Sequence, residues 1–333
     1  MRSKFFVLAG LLIAVSMILG ACQPAAVPTP ETIIQTIIVE GEVQEVVVTA
    51  TPAPVVKPEQ MKVLTLNMGP GDIPTIDPSL GTDTSSIQIV AETFIGLTRQ
   101  DEVTNLVEPG MATTWDSVVN EDGTETITFH LRNDVTWVRY NGSTVEQVLD
   151  CDGNPRIVNA NDFYYGIMRT LAPATASQYA YVLGMSMVGA NDYNSGETDD
   201  PSTVGAEVID DFTIALTFIE QAAYNPAIAG MWIAYAEPSW LIDGDDCTDA
   251  RGDKWTETGF FQGYGPYTLK EWVHDSTITL VKNPFWVATD NIPAPKIEEV
   301  TWTMLDASPA MAEYEAGNID TVAIPLADMD RVK

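Results

Sequence analysis

The stretch that leaves this chain least freedom runs from Gly259 to Trp286: Gly-Phe-Phe-Gln-Gly-Tyr-Gly-Pro-Tyr-Thr-Leu-Lys-Glu-Trp-Val-His-Asp-Ser-Thr-Ile-Thr-Leu-Val-Lys-Asn-Pro-Phe-Trp. Gly263, Gly265 and Pro266 predict a tight loop, because glycine reaches positive φ without steric cost and proline pre-sets a turn. Tyr267 to Trp272 and Thr277 to Lys282 are rich in β-branched and aromatic residues, so both read as strands. The polar run Val273-His274-Asp275-Ser276 between them reads as a four-residue hairpin connection that leaves His274 facing solvent. Asn283-Pro284 ends the second strand, since proline cannot donate to the ladder.

At 333 residues the chain exceeds one ordinary core, which makes two lobes the default. A formal net charge of -31 disfavours nucleic acid and anionic lipid surfaces as partners. The first residues point out of the cell: Arg2 and Lys4 precede the apolar run Phe5 to Leu19, followed by Gly20-Ala21-Cys22. A basic start, a short apolar run and small residues describe a secretory signal over 1–21 rather than a membrane span. In an exported protein Cys151 and Cys247, both in polar turn-rich segments, are predicted to form a disulfide.

Residues 22–60 read as a proline-rich disordered tether. Its run Thr32 to Thr51 is rich in isoleucine and valine and shows no turn on which it could fold back. Order is expected from Met61, with a strand over Lys62 to Met68 and a helix over Ser86 to Ile95 capped by Ser85 or Ser86. Glu125 to Arg132 alternates Ile127, Phe129 and Leu131 against Thr126, Thr128 and His130, so His130 belongs to a polar strand face. Asn159 or Asn161 caps a helix carrying Phe163, Ile167 and Leu171, and Pro173 stops it. Asn191 to Thr203 reads as a solvated loop; its aspartates lack the spacing and bidentate glutamate of a calcium loop. Strands follow at Val204 to Ile209, Phe212 to Ile219 and Ile297 to Met304, with a helix over Ser308 to Ala316.

Several of these segments together resemble the solute-binding proteins of peptide ABC importers. The resemblance rests on Ile76-Asp77-Pro78, Pro109-Gly110-Met111-Ala112-Thr113-Thr114-Trp115, and Thr128-Phe129 with Leu131-Arg132 and Trp137. It also rests on Gly263-Tyr264-Gly265-Pro266-Tyr267, Asn283-Pro284-Phe285-Trp286, and Tyr314 with Gly317, Ile319 and Asp320. Asp162-Phe163-Tyr164-Tyr165 with Thr175-Ala176-Ser177-Gln178-Tyr179-Ala180 is similar to the oligopeptide-binding branch in particular. The resemblance implies an α/β fold of the periplasmic-binding-protein-like type II (cluster C), with mixed sheets in two lobes. A discontinuous first lobe would comprise 61–92 and 206–322, and 93–205 would form a smaller inserted lobe. Residues 323–333 would open a second lobe that is missing, so the sequence is expected to be an N-terminal fragment. Leu19-Gly20-Ala21-Cys22 resembles a lipobox, which implies cleavage before Cys22, diacylation of its thiol and a lipid anchor on the outer face of the cytoplasmic membrane.

The function implied is capture of an extended peptide between hinged lobes and delivery to the permease subunits, by a monomer. The resemblance places a ligand-pairing strand on Thr82, Asp83 and Thr84, and Trp232 and Tyr264 are candidate cleft aromatics. No nucleophile, base or metal constellation is present: two distant histidines, no Gly-x-Ser-x-Gly and no His-Glu-x-x-His argue against an enzyme, a metal site or a cofactor. The alternatives are another solute of the same superfamily, such as a nickel chelate, haem or an oligosaccharide, or a surface lipoprotein outside transport.

Overall fold

The computed structural model describes residues 61–332, together with two strands nearer the N-terminus. The expected signal 1–21, Cys22 and the remainder of the 22–60 tether lie outside the described residues. The two strands correct one expectation. β1 (Thr32–Val39) pairs antiparallel with β2 (Glu42–Thr49), Val39 opposite Glu42 and Thr32 opposite Thr49. The run does fold on itself.

From residue 61 the labelled elements are β3 Val63–Asn67, α1 Thr84–Thr93, β4 Thr98–Gln100, β5 Val107–Pro109, β6 Ala112–Val119, β7 Glu125–Leu131, β8 Val138–Tyr140, β9 Val145–Gln147 and α2 Ala160–Leu171. They continue with β10 Ala206–Asp210, β11 Thr213–Phe218, β12 Tyr267–Val273, β13 Thr277–Lys282 and β14 Glu299–Thr303. One sheet has the order β12-β13-β14-β3, with β14 and β3 parallel. The other is antiparallel, β10-β11-β7-β6. β7 alternates buried and half-buried residues along its length, as its Ile127, Phe129 and Leu131 pattern requires. The boundary expected at 205/206 cuts this second sheet. β11 hydrogen-bonds onto β7, with β10 outside it, and the apolar residues Ile214 and Leu216 complete the face begun by Ile127 and Phe129. Residues expected in a loop at Asn191 to Thr203 include a short helix, Ala190–Ser195, and a turn of 3₁₀ helix at Pro201–Thr203.

The glycines of the opening stretch work differently from expectation. Neither Gly263 nor Gly265 has positive φ. They are needed for close approach: the Tyr264 and Gly265 amides both donate to the Thr93 carbonyl at the end of α1, at 3.0 and 2.8 Å, and a Cβ on Gly265 would lie 2.5 Å from the Thr93 carbonyl carbon. Gly263 exchanges hydrogen bonds with Val138 at 2.8 and 3.1 Å. The loop thereby docks β12 onto α1 and β8, over an aromatic core in which Phe94 meets Trp137, Trp255, Phe261 and Tyr264 edge-on. Cys151 and Cys247 are bridged, with their Cα atoms 5.5 Å apart.

His274 is exposed, as expected, and is held by two carboxylates. The β12–β13 connection is three residues, because Val273 still pairs with Thr277 and Asp275 takes the left-handed conformation. His274 Nδ1 lies 2.5 Å from Asp72 Oδ2 and its Nε2 3.1 Å from Glu257 Oε2, while the ring sits 4.3 Å from that of Trp272. Hydrogen bonds to Glu257 and Asp72 raise its pKa above 6.5. A raised histidine pKa stabilises the fold fully below the unfolded value and loses that contribution as pH rises through the folded one. The stability gap between the wild type and His274→Gln, measured by urea unfolding, is therefore expected to be under about 1 kcal/mol at pH 6, since the ring is half exposed. It should close as pH rises above neutrality; a gap that widens with pH would refute the clamp.

Candidate ligand-binding site

The connection from β3 to α1 carries the segment expected to meet ligand, and four anchors hold it. Asp72 accepts from Trp272 Nε1 at 2.9 Å. Asp77 accepts from both terminal guanidinium nitrogens of Arg169 at 2.9 and 2.8 Å and from Trp255 Nε1 at 2.9 Å. Ser79 donates from its amide and its hydroxyl to Glu237 Oε1, at 3.1 and 2.6 Å. Gly81 offers its carbonyl to Trp232 Nε1 at 2.9 Å. Arg169 projects from the last turn of α2 and also donates to Glu237 Oε2 at 2.8 Å. Two buried carboxylates thus share one guanidinium. Burial, reinforced by the Asp77 charge, pushes Glu237 up to about 7. Burial opposes the charge of Arg169, but Glu237 and Asp77 outweigh it and hold the guanidinium well above its ordinary pKa.

Beyond these anchors the backbone is left open. Among the described residues neither the amide nor the carbonyl of Thr82 has a hydrogen-bond partner. Asp83 is extended, with φ −112° and ψ 162°, and serves as the N-cap of α1 in place of Ser85 or Ser86. Its Oδ1 accepts from the Ser85 and Ser86 amides at 3.0 Å each, and its Oδ2 from the Ser86 hydroxyl. Capping commits the Asp83 side chain to the helix, so the segment presents main chain rather than a carboxylate. Thr84 is exposed in the first turn.

Trp232 is half-buried beside this segment, and its ring meets Tyr179 at 5.3 Å in a T-shaped contact; Tyr179 in turn lies 5.9 Å from Tyr181, which is 56% exposed. Tyr264 stands elsewhere. It is wholly buried, its hydroxyl donating to the Ile95 carbonyl at 2.9 Å and accepting from the Ala236 amide at 3.2 Å, with Trp137 4.8 Å away. It is a core tyrosine and not a cleft aromatic: a side chain between two close-approaching glycines points to whatever that backbone packs on. The sequence reading passed over Arg169 and Glu237, which fix the loop, and over Tyr179, although Tyr179 lay within a quoted motif. Nothing about an isolated glutamate in a chain with 47 acidic residues marks it as buried.

The profile of the bacterial extracellular solute-binding proteins, family 5 (middle), matches residues 107–333. The chain belongs to that family. Among family relatives, the dipeptide-binding protein DppE of Bacillus subtilis is 30% identical over 267 residues, covering 78% of this chain and 43% of DppE. The periplasmic oligopeptide-binding protein OppA of Escherichia coli is 29% identical over 263 residues, with the same coverage. The structure of OppA from Burkholderia pseudomallei superposes with a TM-score of 0.66 at 25% identity, over 82% of this chain and 48% of that one. The family-5 chain thus spans less than half the length of these relatives, and its fold is the mixed α/β fold of the type II periplasmic binding proteins. No helix among the described residues is long and apolar enough to cross a membrane.

The anchor network generates a sharp expectation. Arg169→Met leaves two carboxylates buried without their cation, which should cost about 3–5 kcal/mol in urea unfolding. Adding Glu237→Gln, which removes one of the stranded charges, should recover part of that loss; equal stability of the single and double variants would contradict the shared tie.

Proposed function

We propose that this protein is the extracytoplasmic binding component of a peptide importer, and that it holds an extended peptide by its main chain. The observation that carries the reading is the open backbone of Thr82 and the Asp83 amide, fixed on both sides and flanked by Trp232 and Tyr179; the Asp83 carbonyl already accepts from the Ile87 amide. An extended ligand adds to such a segment as a strand, drawing affinity from amides common to every peptide. Relatives named for dipeptide and oligopeptide binding support that ligand class. Thr82, Asp83 and Thr84 then supply the pairing edge and Trp232 an aromatic wall. The reading includes a secretory signal over 1–21, a diacyl anchor on Cys22, delivery to membrane permease subunits, and work as a monomer without enzymatic turnover or cofactor.

Titration calorimetry with mixed tri- to pentapeptides, set against oligosaccharides and nickel chelates, is expected to give heat with peptides alone. N-methylation of the ligand amide that pairs with Thr82 should weaken binding about tenfold, the scale of one lost hydrogen bond with its buried partner left unmet. Heat with sugars or chelates and none with peptides would end this reading.

A further inference from the structure

A cavity of about 170 Å³ lies directly behind Trp232. Its walls are Ile87 and Ala91 on α1, with Met231, Trp232, Tyr235 and Gln100 opposite. Position along α1 ties this cavity to the open backbone. Asp83, Ile87 and Ala91 are four residues apart and so share one helix face, and Ile87 stands about 6 Å beyond Asp83 along the axis. Trp232 belongs to both places, since its Nε1 donates to the Gly81 carbonyl while the residue lines the cavity. A peptide strand rises about 3.3 Å per residue, so a ligand running along α1 from Thr82 would bring a residue roughly two positions on level with Ile87.

The lining chemistry is uneven. Ile87, Ala91, Met231 and the Trp232 ring give apolar walls, whereas the Tyr235 hydroxyl has no hydrogen-bond partner among the described residues. Burial pushes that hydroxyl up to about 12, so it remains a donor at any physiological pH. Arg99, also in the wall, is occupied by Glu102 and by the Asn291 carbonyl, which leaves no spare cation for a carboxylate. Tyr235 is half-buried, so water can meet this hydroxyl in the free protein and a ligand acceptor would take that water's place.

We infer that this cavity is a side-chain pocket of the peptide site, selecting one uncharged ligand side chain with an apolar stem and an acceptor at its tip, of glutamine type, and that Tyr235 and Ala91 set this preference. The inference rests on the peptide reading above. It is tested by calorimetry with alanine pentapeptides in which each position in turn carries Gln, Leu, Glu or Gly. One position should favour Gln over Glu and Gly by about tenfold or more. Tyr235→Phe should cut the Gln-over-Leu ratio about fivefold, the effect of one neutral hydrogen bond. Ala91→Leu, an exposed helix position where leucine is well tolerated, should weaken the Gln peptide about tenfold more than the all-alanine peptide. Peptide binding with no positional preference, or a preference untouched by Ala91→Leu, overturns the pocket and leaves peptide binding standing. Failure of every peptide to bind the unaltered protein overturns both.

Discussion

The site depends on one cation held between two acids in the interior. Arg169, Asp77 and Glu237 are nearly free of solvent, and taking three charges out of water costs more than any single contact among them returns. The neutral donors around them restore the balance: Trp255 Nε1 on Asp77, and the Ser79 amide and hydroxyl on Glu237. Each carboxylate oxygen in the cluster has a partner, as a low-dielectric interior demands. The result fastens the β3–α1 connection to α2 and to the Glu237 segment at once. A loop so fastened can leave Thr82 unpaired without collapsing onto it.

The second constraint is steric. Gly263 and Gly265 let β12 approach the end of α1 and β8 to backbone distance, and the Tyr264 and Gly265 amides satisfy the Thr93 carbonyl that the helix end would otherwise leave bare. α1 is therefore fixed at both ends, by Asp83 at its start and by the glycine loop at its finish. That fixes Ile87 and Ala91 in space relative to Trp232. Pre-organisation of this kind lowers the ordering cost of binding, which matters most for a ligand that is itself flexible.

Patterns that depend on neighbouring residues were legible in the sequence; those that depend on distant ones were not. The alternation of Ile127, Phe129 and Leu131, the hairpin from Tyr267 to Lys282 and the cap at Asn159 are local, and the structure has each of them. The cap of α1 is a near miss: Ser85 or Ser86 was expected, but Asp83 takes the place because its carboxylate reaches both serine amides. The wrong boundary at 205/206 is of the distant kind. β10 and β11 look like any strand pair in sequence, and only pairing with β7, some 90 residues earlier, decides their sheet. Tyr264 and Glu237 show the limit most clearly, since residue type says nothing about burial imposed by glycines or by an arginine far along the chain.

These two constraints divide recognition into separate tasks. In the proposed peptide reading, main-chain pairing at Thr82 is indifferent to ligand sequence, because every residue other than proline offers the same donor and acceptor. Discrimination then has to come from side-chain space, and the ring of Trp232 stands where the two meet: one edge secures the Gly81 carbonyl, one face meets Tyr179, and the cavity lies behind it. A tryptophan suits that position because it has few rotatable bonds and a single donor, so its hydrogen bond to Gly81 fixes the whole ring plane. Moving that ring would disturb affinity and selectivity together, whereas changes deeper in the cavity can alter selectivity while the pairing edge stays intact.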